Sequence, residues 1–157
     1  LEVFEVVRAA WPFDKPLGIR ISATDWIDGG WTVEESVVFA RELKSIGCDF
    51  IDVSSGALDP RQKISLGPGY QVPFSAKIRT QAEITTWTVG MITKARQAED
   101  IIAGGKADIV ALARGMMFDP RWAWHAAEAL GVETEYSRMY ARCAPGQWPA
   151  VFPWRDI

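Results

Sequence analysis

The sequence predicts an α/β protein with a parallel sheet covered by helices. Three observations carry this. Four short apolar segments of strand length alternate with four segments of helical character. The strand segments read as apolar on both faces, as in a barrel or a doubly wound sheet. Capping residues, glycines and prolines mark the ends of the helical segments. Connections between such strands are expected to be right-handed.

The elements follow in order. Residues 1–11 read as an amphipathic helix, with Val3, Phe4, Val7 and Ala10 at helical spacing and Pro12 ending it. PLGIRIS, Pro16 to Ser22, is the first strand. Thr32 caps a helix over Val33 to Ile46, with Glu35 three residues on in the capping-box position and Gly47 at C′. CDFIDVSS, Cys48 to Ser55, is the second strand, and a long loop with Gly and Pro leads to a helix over Pro73 to Gln81. Glu83 to Gly90 is the third strand. Thr93 begins a helix over Lys94 to Ala103, which Gly104 and Gly105 end. Asp108 to Ala113 is the fourth strand and runs straight into Arg114. The last helix spans Pro120 to Leu130 with Gly131 as its cap. Residues 1–131 therefore form one unit, and 132–157 a tail rich in Pro and aromatics. The pattern opens on a helix with no strand before it. A partner that closes the sheet, or self-association, is the expectation, because an isolated four-stranded sheet leaves two edges open.

The totals narrow the function classes. A chain of 157 residues suffices for one domain with a sizeable core. Its formal charge is −3 and no basic block interleaves with aromatics, which argues against nucleic acid. No apolar run reaches the roughly 18 residues of a membrane span. Cys48 and Cys143 make neither a metal cluster nor a disulfide framework, so a reducing, cytoplasmic setting is expected.

Chemistry is sought at the carboxyl ends of the strands, where parallel α/β barrels keep their sites. The first end carries Arg20, Ser22 and Asp25, and the second Ser54, Ser55 and Gly56. The third carries Trp87, Val89, Gly90 and Met91, and the fourth Arg114 and Gly115. Small residues let backbone N–H groups approach an anion, and a guanidinium beside them forms a bidentate fork. The third and fourth ends therefore read as a phosphate site, with a salt bridge at the rim as the other reading of Arg114. Arg20 alternates with Ile19 and Ile21, so it points to the opposite face and needs a ligand or a carboxylate. The one histidine, His125, reads as a structural or surface residue, and no Ser-His-Asp arrangement is available. GPGY, Gly67 to Tyr70, lacks the strand–loop–helix setting of a dinucleotide fingerprint. Without hydrolytic machinery, a cofactor is expected to carry the reaction.

PLGIRISATDW, GCDFIDVSSGAL, GPGYQVPF, TVGMIT and ADIVALARGMMFDPRW together resemble the old yellow enzyme family, in its xenobiotic-reductase and thermophilic-like branch. The resemblance implies the C-terminal half of a (βα)8 TIM barrel: strands five to eight with their helices, and a tail. It implies FMN as cofactor, NADPH or NADH as reductant, and reduction of activated C=C bonds such as those of enones. Arg20 matches the arginine at the flavin N1/O2 edge. Gly90 and Met91 match the loop whose backbone binds the FMN phosphate. Ala113 and Arg114 match a Gly-Arg pair at the phosphate, with Ala113 departing from the usual Gly. Trp87 and Trp154 match substrate-pocket positions. Arg155, in the tail, matches a segment that reaches a neighbouring subunit of a homo-oligomer.

The family's proton donor and carbonyl-binding residues belong to the N-terminal half, so that half is the expected partner and this chain alone is expected to be inactive. Neither nucleic acid nor a membrane is an expected partner. The other class of reading is a non-catalytic half barrel, a scaffold or phosphate-binding module that self-associates.

Overall fold

The computed structural model describes residues 1–147. Four strands, β1 (Gly18–Ser22), β2 (Phe50–Ser54), β3 (Thr85–Thr88) and β4 (Ile109–Val110), pair in that order, and every pair is parallel. Helices α1 (Glu2–Ala10), α2 (Val33–Ser45), α3 (Val72–Ala82), α4 (Ala95–Ala103), α5 (Arg114–Phe118) and α6 (Trp122–Ala129) alternate with and follow them. Two short 3₁₀ turns, Ala141–Cys143 and Pro145–Gln147, end the described chain.

The register sorts the side chains by face. Ile51, Val53, Thr86 and Thr88 are fully buried. Ile51 and Val53 pack, with Ile19 and Ile21 beside them, among Val37, Ala40 and Leu43 of α2 and Ile78 and Ala82 of α3. A smaller core joins Val72, Ile92, Ile101 and Ala107, with Val110 and Leu112 against it.

The opposite face corrects the expectation of a sheet apolar on both sides. Arg20, Asp52, Trp87 and Ile109 lie in one register row on it. Next to them, Gly18 pairs with Phe50. A Cβ on Gly18 would lie 2.4 Å from the Phe50 ring. The missing side chain therefore lets that ring lie over β1, where it also stacks on Trp87 with centroids 4.6 Å apart and planes 9° from parallel. Arg20 and Ile109 are exposed on this face.

Local chemistry explains the helix starts. Thr32 and Glu35 form the reciprocal capping box read from the sequence. Pro73 occupies the first turn of α3, where its missing N–H costs nothing. At α4 the cap is Lys94 rather than Thr93. Gln97 reaches back instead, accepting from the Thr93 N–H and donating to the Met91 C=O, both at 3.1 Å.

The fourth strand is shorter than its apolar run. Its ladder ends where the Ala111 N–H meets the Thr88 C=O at 2.8 Å. Beyond Thr88 the neighbouring chain turns at Gly90, whose φ is +115°, and offers β4 no further straight edge. Ala113 then caps α5, so Arg114 opens a helix and does not close a strand.

Candidate functional site

The carboxyl ends of β1, β2 and β3 are tied by one hydrogen-bonded chain. Trp26, past β1, donates its indole N–H to Ser55 Oγ at 3.0 Å. Ser55, just past β2, donates to Gln71 Oε1 at 2.7 Å. Gln71, before α3, donates from Nε2 to the Val89 C=O past β3 at 2.9 Å. Gln71 is only 2 % exposed. A buried amide is costly unless both its ends are satisfied, and here both are. Sequence reading placed Ser55 at a strand end but passed over Gln71. The signal available was a lone amide inside the otherwise apolar and aromatic run YQVPF.

Arg20 has a partner across the sheet. Its Nη1 lies 2.7 Å from Asp52 Oδ2 and its Nη2 donates to Ser54 Oγ at 3.1 Å. The carboxylate is largely covered while the guanidinium stem stays 55 % exposed. Two N–H groups are thus engaged, and the others remain on the open face. The second Asp52 oxygen, Oδ1, is buried without a partner among the described residues. Of the two readings open for Arg20, the carboxylate pair is present, and it leaves donor capacity beside Trp87.

Arg114 differs. It is exposed, and among the described residues its side chain makes no hydrogen bond or ion pair. It lines a cleft of about 1140 Å³ between α4, α5 and α6, together with Lys94, Gly115, Trp122 and His125. Two cations, Lys94 and Arg114, therefore face one space. Two carboxylates, Asp119 and Glu128, line the same cleft, and Asp119 takes a 3.0 Å bond from the Arg121 N–H and lies 2.7 Å from His125 Nδ1.

Gly90, Met91 and Ala113 are not part of that cleft's lining. They sit at the same edge of the sheet, with Gly90 and Met91 following β3 and Ala113 following β4. Gly90 and Met91 both have positive φ, +115° and +51°. A Cβ at Gly90 would stand 2.6 Å from Gln71 Nε2 and 2.9 Å from the Tyr70 ring, so glycine is required there by space as well as by backbone.

Trp87 lies in the register row of Arg20 and Asp52 and is half-buried against Phe50. Trp154 and Arg155 fall outside the described residues. Cys48 is buried, and that burial pushes its thiol pKa up. Among the described residues there is no His/Cys/Asp/Glu group that holds a metal, and no helix is long and apolar enough to cross a membrane.

An arginine–carboxylate pair on one open sheet face, an unpaired arginine at the start of α5 and a clamped glycine turn past β3 suit a ligand-binding edge. The family described as NADH:flavin oxidoreductase / NADH oxidase matches residues 1–133. An NADPH dehydrogenase of Geobacillus sp. (strain WCH70) is 47 % identical over 141 residues, 90 % of this chain and 41 % of the relative. The NADPH dehydrogenase of Bacillus subtilis (strain 168) is 41 % identical over the same shares. A crystal structure of a mandelate oxidase variant with 2-hydroxy-phenylacetamide has a TM-score of 0.48 and 24 % identity, covering 80 % of this chain and 31 % of that one. The chain spans about two fifths of the length of the curated relatives it matches. FMN, with NADH or NADPH as reductant, agrees with the matched family and with the relatives' names. The resemblance carried by the five sequence motifs holds: this chain belongs to the NADH:flavin oxidoreductase / NADH oxidase family.

Proposed function

We propose that this chain is the FMN-binding half of an NAD(P)H-dependent oxidoreductase that reduces activated C=C bonds of enone type. Its sheet is read as strands five to eight of a (βα)8 barrel, completed by an N-terminal half that supplies proton donor and carbonyl anchors. The observation that carries this is Arg114, an exposed guanidinium with no partner among the described residues, which opens the helix that follows β4, the strand paired with β3.

The donor set suits a dianionic phosphate. A planar fork binds two oxygens at once, and Lys94 adds a second cation on the same side. The backbone N–H groups of Gly90, Met91 and Ala113 would complete the phosphate contacts. Arg20 would direct its remaining N–H groups at the electron-rich edge of the isoalloxazine, where a fixed positive charge favours the reduced form. Asp52 holds that guanidinium in place and tempers its charge. The Trp87–Phe50 stack forms a flat apolar wall on the same face, suited to a planar unsaturated substrate. FMN, when bound, supplies hydride transfer between the nicotinamide and the activated C=C bond.

Trp154 and Arg155 are proposed to serve the substrate pocket and a neighbouring subunit of a homo-oligomer. A cytoplasmic location is proposed for the whole.

The experiment combines this chain with the N-terminal half of the Geobacillus relative. A yellow complex that oxidises NADPH with an enone supports the reading. A colourless, self-associated chain that ignores both the partner half and FMN would replace it with the scaffold reading.

A further inference from the structure

We propose that Gln71 and Gly69 form a carbonyl clamp that aims the Gly90 and Met91 N–H groups at the anion beside Arg114. The inference rests on the phosphate reading above and assigns a positioning role to residues remote from the anion.

The geometry is simple. In a trans peptide the C=O and the following N–H point in opposite directions, and no cis peptide occurs among the described residues. Gln71 Nε2 donates to the Val89 C=O at 2.9 Å, so the N–H of the same peptide unit, that of Gly90, faces away from Gln71. The Gly69 N–H donates to the Gly90 C=O at 3.0 Å, so the N–H of Met91 faces away from Gly69. Two consecutive carbonyls are held by one short segment on one side. Two consecutive N–H groups are thereby presented on the other. Such paired donors form an anion-binding concavity.

Val89 and Gly90 lie beyond the end of β3 at Thr88 and are half-buried, so no strand ladder holds their carbonyls. Instead Gln71 is buried to reach one of them, and it is braced through Ser55 to Trp26 at the ends of two other strands. Gly90 has no room for a Cβ because Gln71 Nε2 would lie 2.6 Å from it, so clamp and turn are fitted to each other. The brace converts a flexible glycine turn into a fixed one, which removes the ordering cost that a ligand would otherwise meet.

The test compares FMN with riboflavin, which lacks only the phosphate, for the chain alone and combined with the N-terminal half. Dissociation constants are read by flavin fluorescence, with far-UV circular dichroism and thermal melts alongside. Gln71→Met keeps length and loses both hydrogen bonds. Ser55→Ala removes only the brace and decides the matter if Gln71→Met does not fold. The expected result is at least a tenfold loss of the preference for FMN over riboflavin in Gln71→Met, a smaller loss in Ser55→Ala, and unchanged riboflavin affinity in both. An unchanged preference in the folded variants overturns the clamp and leaves the phosphate reading standing. An equal loss for both flavins also overturns it, because a general structural defect does not select for phosphate. A wild-type chain with no preference for FMN in either form overturns the phosphate reading, and the clamp with it.

Discussion

Arg20 and Asp52 stand opposite each other in register on β1 and β2, and their side chains meet at 2.7 Å on the open face of the sheet. The pair is asymmetric: the Asp52 side chain is 15 % exposed and that of Arg20 55 %. Arg20→Ala would leave a largely covered carboxylate without its cation, while Asp52→Ala would leave an arginine that water can solvate. The first loss is expected to exceed the ~0–1 kcal/mol of an exposed pair and to approach the ~1–3 kcal/mol of an unsatisfied buried group. Urea unfolding checks this, and the Arg20→Ala, Asp52→Ala double variant should be more stable than Arg20→Ala alone. In a flavin-loaded complex Arg20→Ala should also lower the flavin reduction potential. An unchanged potential would confine Arg20 to its structural pair.

The capping box at α2 gives a pH-dependent prediction. Hydrogen bonds from the Thr32 hydroxyl, and then from its backbone N–H, hold the Glu35 carboxyl below its usual pKa. A depressed folded value means stability that is present above the unfolded pKa and lost as pH falls through the folded one. Thr32→Ala should cost about 1 kcal/mol at neutral pH, as cap removal generally does. The gap between wild type and variant should narrow on acidification through the glutamate range. Thermal melts across that range measure it, and a gap that widens with acid would contradict the assignment.

Gly90→Ala should be damaging twice over. A left-handed conformation costs a non-glycine residue about 1–3 kcal/mol, and the new Cβ would collide with Gln71 Nε2 at 2.6 Å. Lowered stability and weakened FMN binding should appear together. Gly146→Ala is the control, because no atom lies within 4 Å of its Cβ position and it lies outside the cleft that Arg114 lines. Equal effects at the two glycines would remove the case for a special turn.

How much was legible beforehand depended on how local the cause is. The α2 boundaries were readable because Thr32 and Glu35 lie three residues apart and act on the same turn. The end of β4 was not, because it is set by where β3 stops pairing, and an apolar run does not record its neighbour's length. Arg20 was recognisable as a charge in need of company, yet its partner lies 32 residues away and becomes evident only from the register. The mixed character of the open face was hidden for the same reason: Phe50, Asp52 and Trp87 share a face through pairing rather than through spacing within one strand. Gly90 and Met91 follow β3 as the sequence reading placed them, whereas Arg114 opens a helix four residues beyond β4. Gln71 was not legible, since a single amide in an apolar stretch declares neither its burial nor its partners.

The central claim is that the edge of this sheet binds a flavin phosphate through Arg114. FMN titration into wild type, Arg114→Ala and Arg114→Lys, each combined with the N-terminal half, tests it most directly. Charge-assisted hydrogen bonds are worth roughly 1.5–3 kcal/mol each, so losing the fork should weaken FMN binding by about one to three orders of magnitude. Arg114→Lys should recover only part of this, because an ammonium keeps the charge and loses the planar fork. The unfolding midpoint of the chain should stay unchanged, since Arg114 has no partner among the described residues to lose. Wild-type FMN affinity in both variants, or a fall in stability with affinity intact, would contradict the account.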